Sequence, residues 1–126
     1  MLRKQKIFGL DLEHSKTRSF LGIVCLMQIS FSNRDFVIDT LLLHDSIHKL
    51  KSIFEDVNIC KVIHGGAHDI HWLQRDYQIY ITNVLDTHLA CLTLNKKESS
   101  YNFLLKEYCN DSNDKSMQVQ KISFCS

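Results

Sequence analysis

The chain opens on an alternating pattern. Ile7, Phe8, Leu10 and Leu12 are apolar and acids follow, so residues 6–13 read as a strand. Residues 20–31 form a long β-rich run containing Ile23, Val24, Ile29 and Phe31. Ser32-Asn33-Arg34 then supplies turn chemistry before Phe36-Val37-Ile38. Two apolar runs around a short polar connection predict an antiparallel hairpin, and with the first strand a three-stranded meander. The period then changes. Ile47, Leu50, Ile53 and Phe54 recur at three- and four-residue spacing, which predicts an amphipathic helix over 45–56. Residues 59–63 are a short β-rich segment ending at His64-Gly65-Gly66, and 67–77 place Ile70, Leu73 and Tyr77 on one helical face. Residues 80–85 read as a further strand, and 86–94 and 99–109 as two more helices. The order βββ-α-β-α-β-α-α predicts an α/β fold, a mixed sheet flanked by helices, with parallel pairing and right-handed crossovers in its strand–helix–strand units. After Lys115 neither cap nor period continues, so 1–115 reads as the domain and 116–126 as a divergent tail.

Composition narrows the class. A length of 126 residues allows one domain with a real core, and 44% hydrophobic with 23% charged residues excludes disorder and coiled coil. Proline is absent, which leaves the turns to Asn, Asp and Ser. A formal charge of +1 gives no global basic field, so a polyanionic substrate needs a local device to hold it. The cysteines (Cys25, Cys60, Cys91, Cys109 and Cys125) are odd in number, widely spaced and without a C-x-x-C, which fits reduced thiols in an intracellular protein. Asp11 and Glu13 interrupt the apolar run that a signal peptide would need after the basic start. Residues 20–31 are too few to cross a bilayer, so neither a leader nor a membrane anchor is expected.

The sharpest chemical feature is Asp11-Leu12-Glu13. Residues i and i+2 of a strand share a face, so two carboxylates lie side by side in an otherwise apolar strand. Crowded like charges favour a cation, and hard ions such as Mg²⁺ take oxygen ligands. The bland alternative is a strand end with solvated acids. Asp69, in the first turn of the helix after 59–63, adds a third carboxylate at the same edge if that segment pairs beside the first strand. An acid in a first turn is also favoured by the helix dipole alone. His64, His68 and His71 raise a zinc module as an alternative, although no cysteine lies near them in sequence to complete the tetrahedral set. Trp72 reads as core. Lys4, Lys6, Arg18, Lys61 and Arg75 read as surface charge with phosphate contact as the alternative.

Taken in order and spacing, "FGLDLEHSKTRSFLGIVCLMQIS", "RDFVIDTL", "VIHGGAHDIHWLQRDY", "NVLDTHLA" and "LLKEYCN" resemble the catalytic domain of the DEDD-type 3′–5′ exonucleases. The likeness is greatest to the RNase D-like exoribonuclease subunit of the nuclear RNA exosome, and it runs from about Ile7 to Lys115. The resemblance implies an RNase H-like fold and two-metal hydrolysis, with Mg²⁺ or Mn²⁺, of the 3′-terminal phosphodiester of single-stranded RNA. It makes Asp11, Glu13 and Asp69 the first three acids of the signature, both catalytic and metal-binding, and gives Asp86 a supporting position near them. It further implies RNA exosome subunits as partners and a nuclear location, nucleolus included.

The family's fourth acid and its tyrosine share a Y-x-x-x-D motif. No Tyr or Asp follows Lys115 here, so the sheet is expected to be incomplete at its C-terminal side and activity to be impaired. The alternative function is a nucleic-acid- or exosome-binding remnant of the same fold.

Overall fold

The computed structural model describes residues 1–16, 21–32 and 34–109. Tail residues 116–126, and the 115/116 boundary, lie outside this set.

Among the described residues, five strands form one sheet in the order β3-β2-β1-β4-β5. β1 (Ile7–Ser15), β2 (Ile23–Phe31) and β3 (Arg34–Asp39) are the antiparallel meander that the alternation predicts. β4 (Cys60–Ile63) joins the other side of β1 in parallel, Ile7 opposite Cys60. β5 (Val84–Asp86) follows in parallel on β4. Pairing of β1 with β2 slips between Glu13 and His14, and Cys25 is passed over. The helices are α1 (His44–Ile47), α2 (Lys51–Phe54), α3 (Ala67–Tyr77), α4 (Thr87–Thr93) and α5 (Tyr101–Leu104).

Alternation along β1 sorts its two faces. Phe8, Leu10 and Leu12 are buried against Ile47, Ile53, Phe54, Leu73 and Tyr77 of α1–α3, and Ile29 and Met27 of β2 complete the same core. Gly9, Asp11 and Glu13 therefore turn to the opposite face, which α4 and α5 border.

Several local expectations are revised. The 45–56 helix spans His44–Phe54 and is broken by a 3₁₀ turn at His48–Leu50. Strand pairing over 80–85 starts only at Val84. Ile79 is fully buried, but the Tyr80 N–H donates to the Glu55 carboxylate and the Thr82 N–H to the Phe54 carbonyl, so these donors never reach the sheet. The 99–109 helix is α5, capped by the Ser100 hydroxyl, which runs into a π-helical turn at Leu105–Cys109.

Lys61 is the largest departure. It is 0% exposed rather than a surface charge, because its place in the β4 alternation points inward. Its ammonium donates to the carbonyls of Asp56 (2.8 Å) and Ile59 (2.7 Å). Without such acceptors a buried charge would not be tolerated. Arg75 is also committed to protein. It donates to the Leu21 and Gly22 carbonyls (both 2.9 Å) and forks onto Asp76.

Candidate functional site

The β1 frame sets the first two acids. Asp11 and Glu13 are separated by one inward residue, Leu12, and so share the face away from the core. Asp11 is exposed and Glu13 half-buried. Parallel pairing of β4 beside β1 then delivers the Gly65-Gly66 turn, and behind it the first turn of α3, to the same end of the sheet.

Two glycines make that turn possible. Gly65 has φ +64°, a left-handed backbone that costs an L side chain about 1–2 kcal/mol. At Gly66 a Cβ would run into the side chain of Ile63.

Asp69 of α3 lands against the other acids. Burial, and then the nearby charges of Asp11, Glu13 and Asp86, push its carboxyl up to about 7, although the Leu12 N–H donates to it. Carboxylates brought this close favour a positive partner, and oxygen donors suit a hard divalent cation. The donor chemistry therefore fits Mg²⁺ or Mn²⁺. Among the described residues no group of three or more His, Cys, Asp or Glu side chains is placed to hold a metal ion by itself.

Asp86 has a different part. Its carboxylate accepts from the N–H groups of Gly65 (2.9 Å), Gly66 (3.0 Å), His88 (2.9 Å) and Leu89 (3.4 Å). Burial works to raise its pKa, but these four donors outweigh it and the net shift is downward. It caps α4 and ties the glycine turn to that helix. The family resemblance places Asp86 near the site; the strand-end position before a helix is the signal for a cap.

Asp11 and Glu13 line an open cavity of about 430 Å³ together with Gln28, Ser30, His64 and Tyr101. His64 is held below its ordinary pKa by burial and by His88, against the opposing pull of Asp86 and Asp11. Periodicity did not single out Gln28, Ser30 or Tyr101, because they come from two elements far apart in sequence, β2 and α5, and carry no local motif.

The three histidines of the zinc reading do not assemble among the described residues. His64 turns to Thr87, His68 lies 5.8 Å from the Trp72 ring, and His71 is exposed. Trp72 packs on the core but also stacks on His14, with ring centres 4.0 Å apart and planes within 3°.

Comparison with known proteins points the same way as this geometry. A family model described as 3′–5′ exonuclease matches residues 1–125. "Exosome complex component 10" of Homo sapiens is 47% identical over 112 residues, covering 89% of this chain and 13% of that protein. "Protein RRP6-like 3" of Arabidopsis thaliana is 44% identical over 118 residues, 94% of this chain and again 13% of the relative. The chain thus spans about an eighth of the length of these relatives. Among solved structures, the catalytic core of RRP6 from Trypanosoma brucei superposes with a TM-score of 0.88 at 35% identity, over 93% of this chain and 32% of that one.

Proposed function

Because the chain belongs to the 3′–5′ exonuclease family and has its RNase H-like fold, we propose that it carries the catalytic face of a 3′–5′ exoribonuclease. In this reading it acts by two-metal hydrolysis on single-stranded RNA 3′ ends. The observation that carries the proposal is the placing of Asp69 in a half-buried position beside Asp11 and Glu13, where burial first and then their charges push its carboxyl up to about 7. A divalent cation beside these carboxylates would favour their ionised forms. Asp11, Glu13 and Asp69 are the residues that would hold them.

Bound cations supply positive charge for the scissile phosphate and acidify a water. The chain's own residues do the rest. Asp11 and Glu13, fixed on a strand, would set where those cations meet the reacting phosphate. Glu13, half-buried beside the cavity, is placed to orient a water. Asp86 holds the turn from which Asp69 projects. Relatives that are exosome components support exosome subunits as partners, and this reading takes RNA as substrate and the nucleus as location. No helix of the described residues is long and apolar enough to cross a membrane.

The test is trimming of a single-stranded RNA carrying a 5′ fluorophore. The expected result is stepwise shortening from the 3′ end that needs Mg²⁺ or Mn²⁺ and falls by about two to three orders of magnitude in Asp11→Ala. Shortening that persists in that variant, or without metal, overturns the reading. A second reading, a binding remnant with impaired chemistry, is favoured by the lack of a closed ligand cage among the described residues. Calorimetry separates the two: two Mn²⁺ sites support the enzyme, whereas one weak site or none supports the remnant.

A further inference from the structure

The hydrogen bonds of Thr87 determine which nitrogen of His64 carries the proton. The Thr87 hydroxyl lies 3.1 Å from the Ile63 carbonyl and 2.9 Å from His64 Nδ1. A carbonyl can only accept, so both contacts are hydrogen bonds only if the single hydroxyl proton goes to Ile63. The hydroxyl oxygen is then an acceptor towards His64, and Nδ1 must be the donor. A neutral imidazole with its proton on Nδ1 has its lone pair on Nε2.

The His64 ring borders the cavity that contains Asp11 and Glu13, while its Nδ1 edge is taken by α4. The nitrogen left for a ligand is therefore an acceptor and cannot donate. It seeks a hydroxyl or amino hydrogen rather than a phosphate oxygen. The carboxylates define where a phosphate would be held, and the group bonded directly to a nucleotide phosphate is its sugar.

The geometry points to His64 as a reader of a terminal ribose hydroxyl, set as an acceptor by Thr87 acting as its positioning residue. This inference rests on the nuclease reading, and the experiment below separates failure of the one from failure of the other.

The ¹⁵N-labelled full chain is examined by a long-range ¹H–¹⁵N correlation spectrum, which assigns the His64 proton to one ring nitrogen without any ligand. The expected result is Nδ1–H. An Nε2–H signature overturns the inference. Calorimetry in Mg²⁺ then compares adenosine 5′-monophosphate with its 2′-deoxy and 3′-deoxy analogues. One analogue is expected to bind about tenfold more weakly than the parent, the range for one lost hydrogen bond. That discrimination disappears in His64→Phe and Thr87→Val, and returns in Thr87→Ser. Equal discrimination in all four proteins overturns the hydroxyl-reading role and leaves the nuclease reading intact. Failure of all three nucleotides to bind removes both. Should Thr87→Val not fold, the wild-type spectrum and the His64→Phe comparison decide alone.

Discussion

Asp69 turns the crowding of the site into a measurable pH dependence. In the unfolded chain its carboxyl ionises near the ordinary value of 3.8, whereas in the folded, metal-free protein it keeps its proton to about 7. Between those limits the folded state binds more protons, so stability falls as pH rises from about 4 to 7 and the deficit is complete above 7. A bound divalent cation favours the ionised form and opposes this slope. Thermal unfolding in EDTA should therefore show Tm decreasing between pH 4 and 8, and the slope should flatten in Mn²⁺. Asp69→Asn, which cannot ionise, should lose that component of the slope in EDTA. A wild-type slope unchanged by Asp69→Asn would remove Asp69 as its source. At this scale the sequence was informative only where local geometry settles the matter. Asp11 and Glu13 share a face by strand period alone, but the pull on Asp69 depends on a parallel pairing between segments some fifty residues apart.

At the scale of elements, Asp86 joins three pieces: the end of β5, the start of α4 and the Gly65-Gly66 turn before α3. Four backbone N–H groups lose their acceptor in Asp86→Ala. A lost cap together with freed turn donors predicts a cost of about 2 kcal/mol. Urea unfolding measures that cost, and a Mn²⁺ titration should show weaker binding because the turn that carries Asp69 loosens. Asp86→Asn, which keeps one acceptor oxygen, should fall between the two. Unaltered Mn²⁺ affinity in a folded Asp86→Ala would show that the turn holds its shape without this bracket. Periodicity made the meander and α3 legible because their apolar faces are regular. It failed for 80–85, where Ile79 and Ile81 face the core without sheet pairing, since apolar spacing reports burial and not where the backbone donors go. It failed likewise at Lys61, whose inward place is set by strand phase and whose charge is tolerated only because a loop supplies two carbonyls.

For the molecule as a whole, the sheet separates two tasks. One face, with Phe8, Leu10 and Leu12, carries the packing against α1–α3. The other carries the acids and the cavity. A formal charge of +1 leaves little long-range attraction for RNA, so in the proposed function affinity must come from the site itself. The order β3-β2-β1-β4-β5 also predicts an order of assembly. β1, β2 and β3 pair with their sequence neighbours, whereas β4 pairs with β1 across some fifty residues, a longer loop that is expected to close later. Asp11 and Glu13 can therefore be in position before Asp69 arrives, and the mutual repulsion arises only at the closing step. An ion that relieves it stabilises the finished state more than the transition state. In stopped-flow denaturant jumps at pH 8, Mn²⁺ should slow unfolding several-fold and leave the refolding limb almost unchanged. A cation acting mainly on refolding would mean that the acids meet early. On the expected outcome, this domain's lifetime, more than its speed of assembly, depends on the supply of divalent ions.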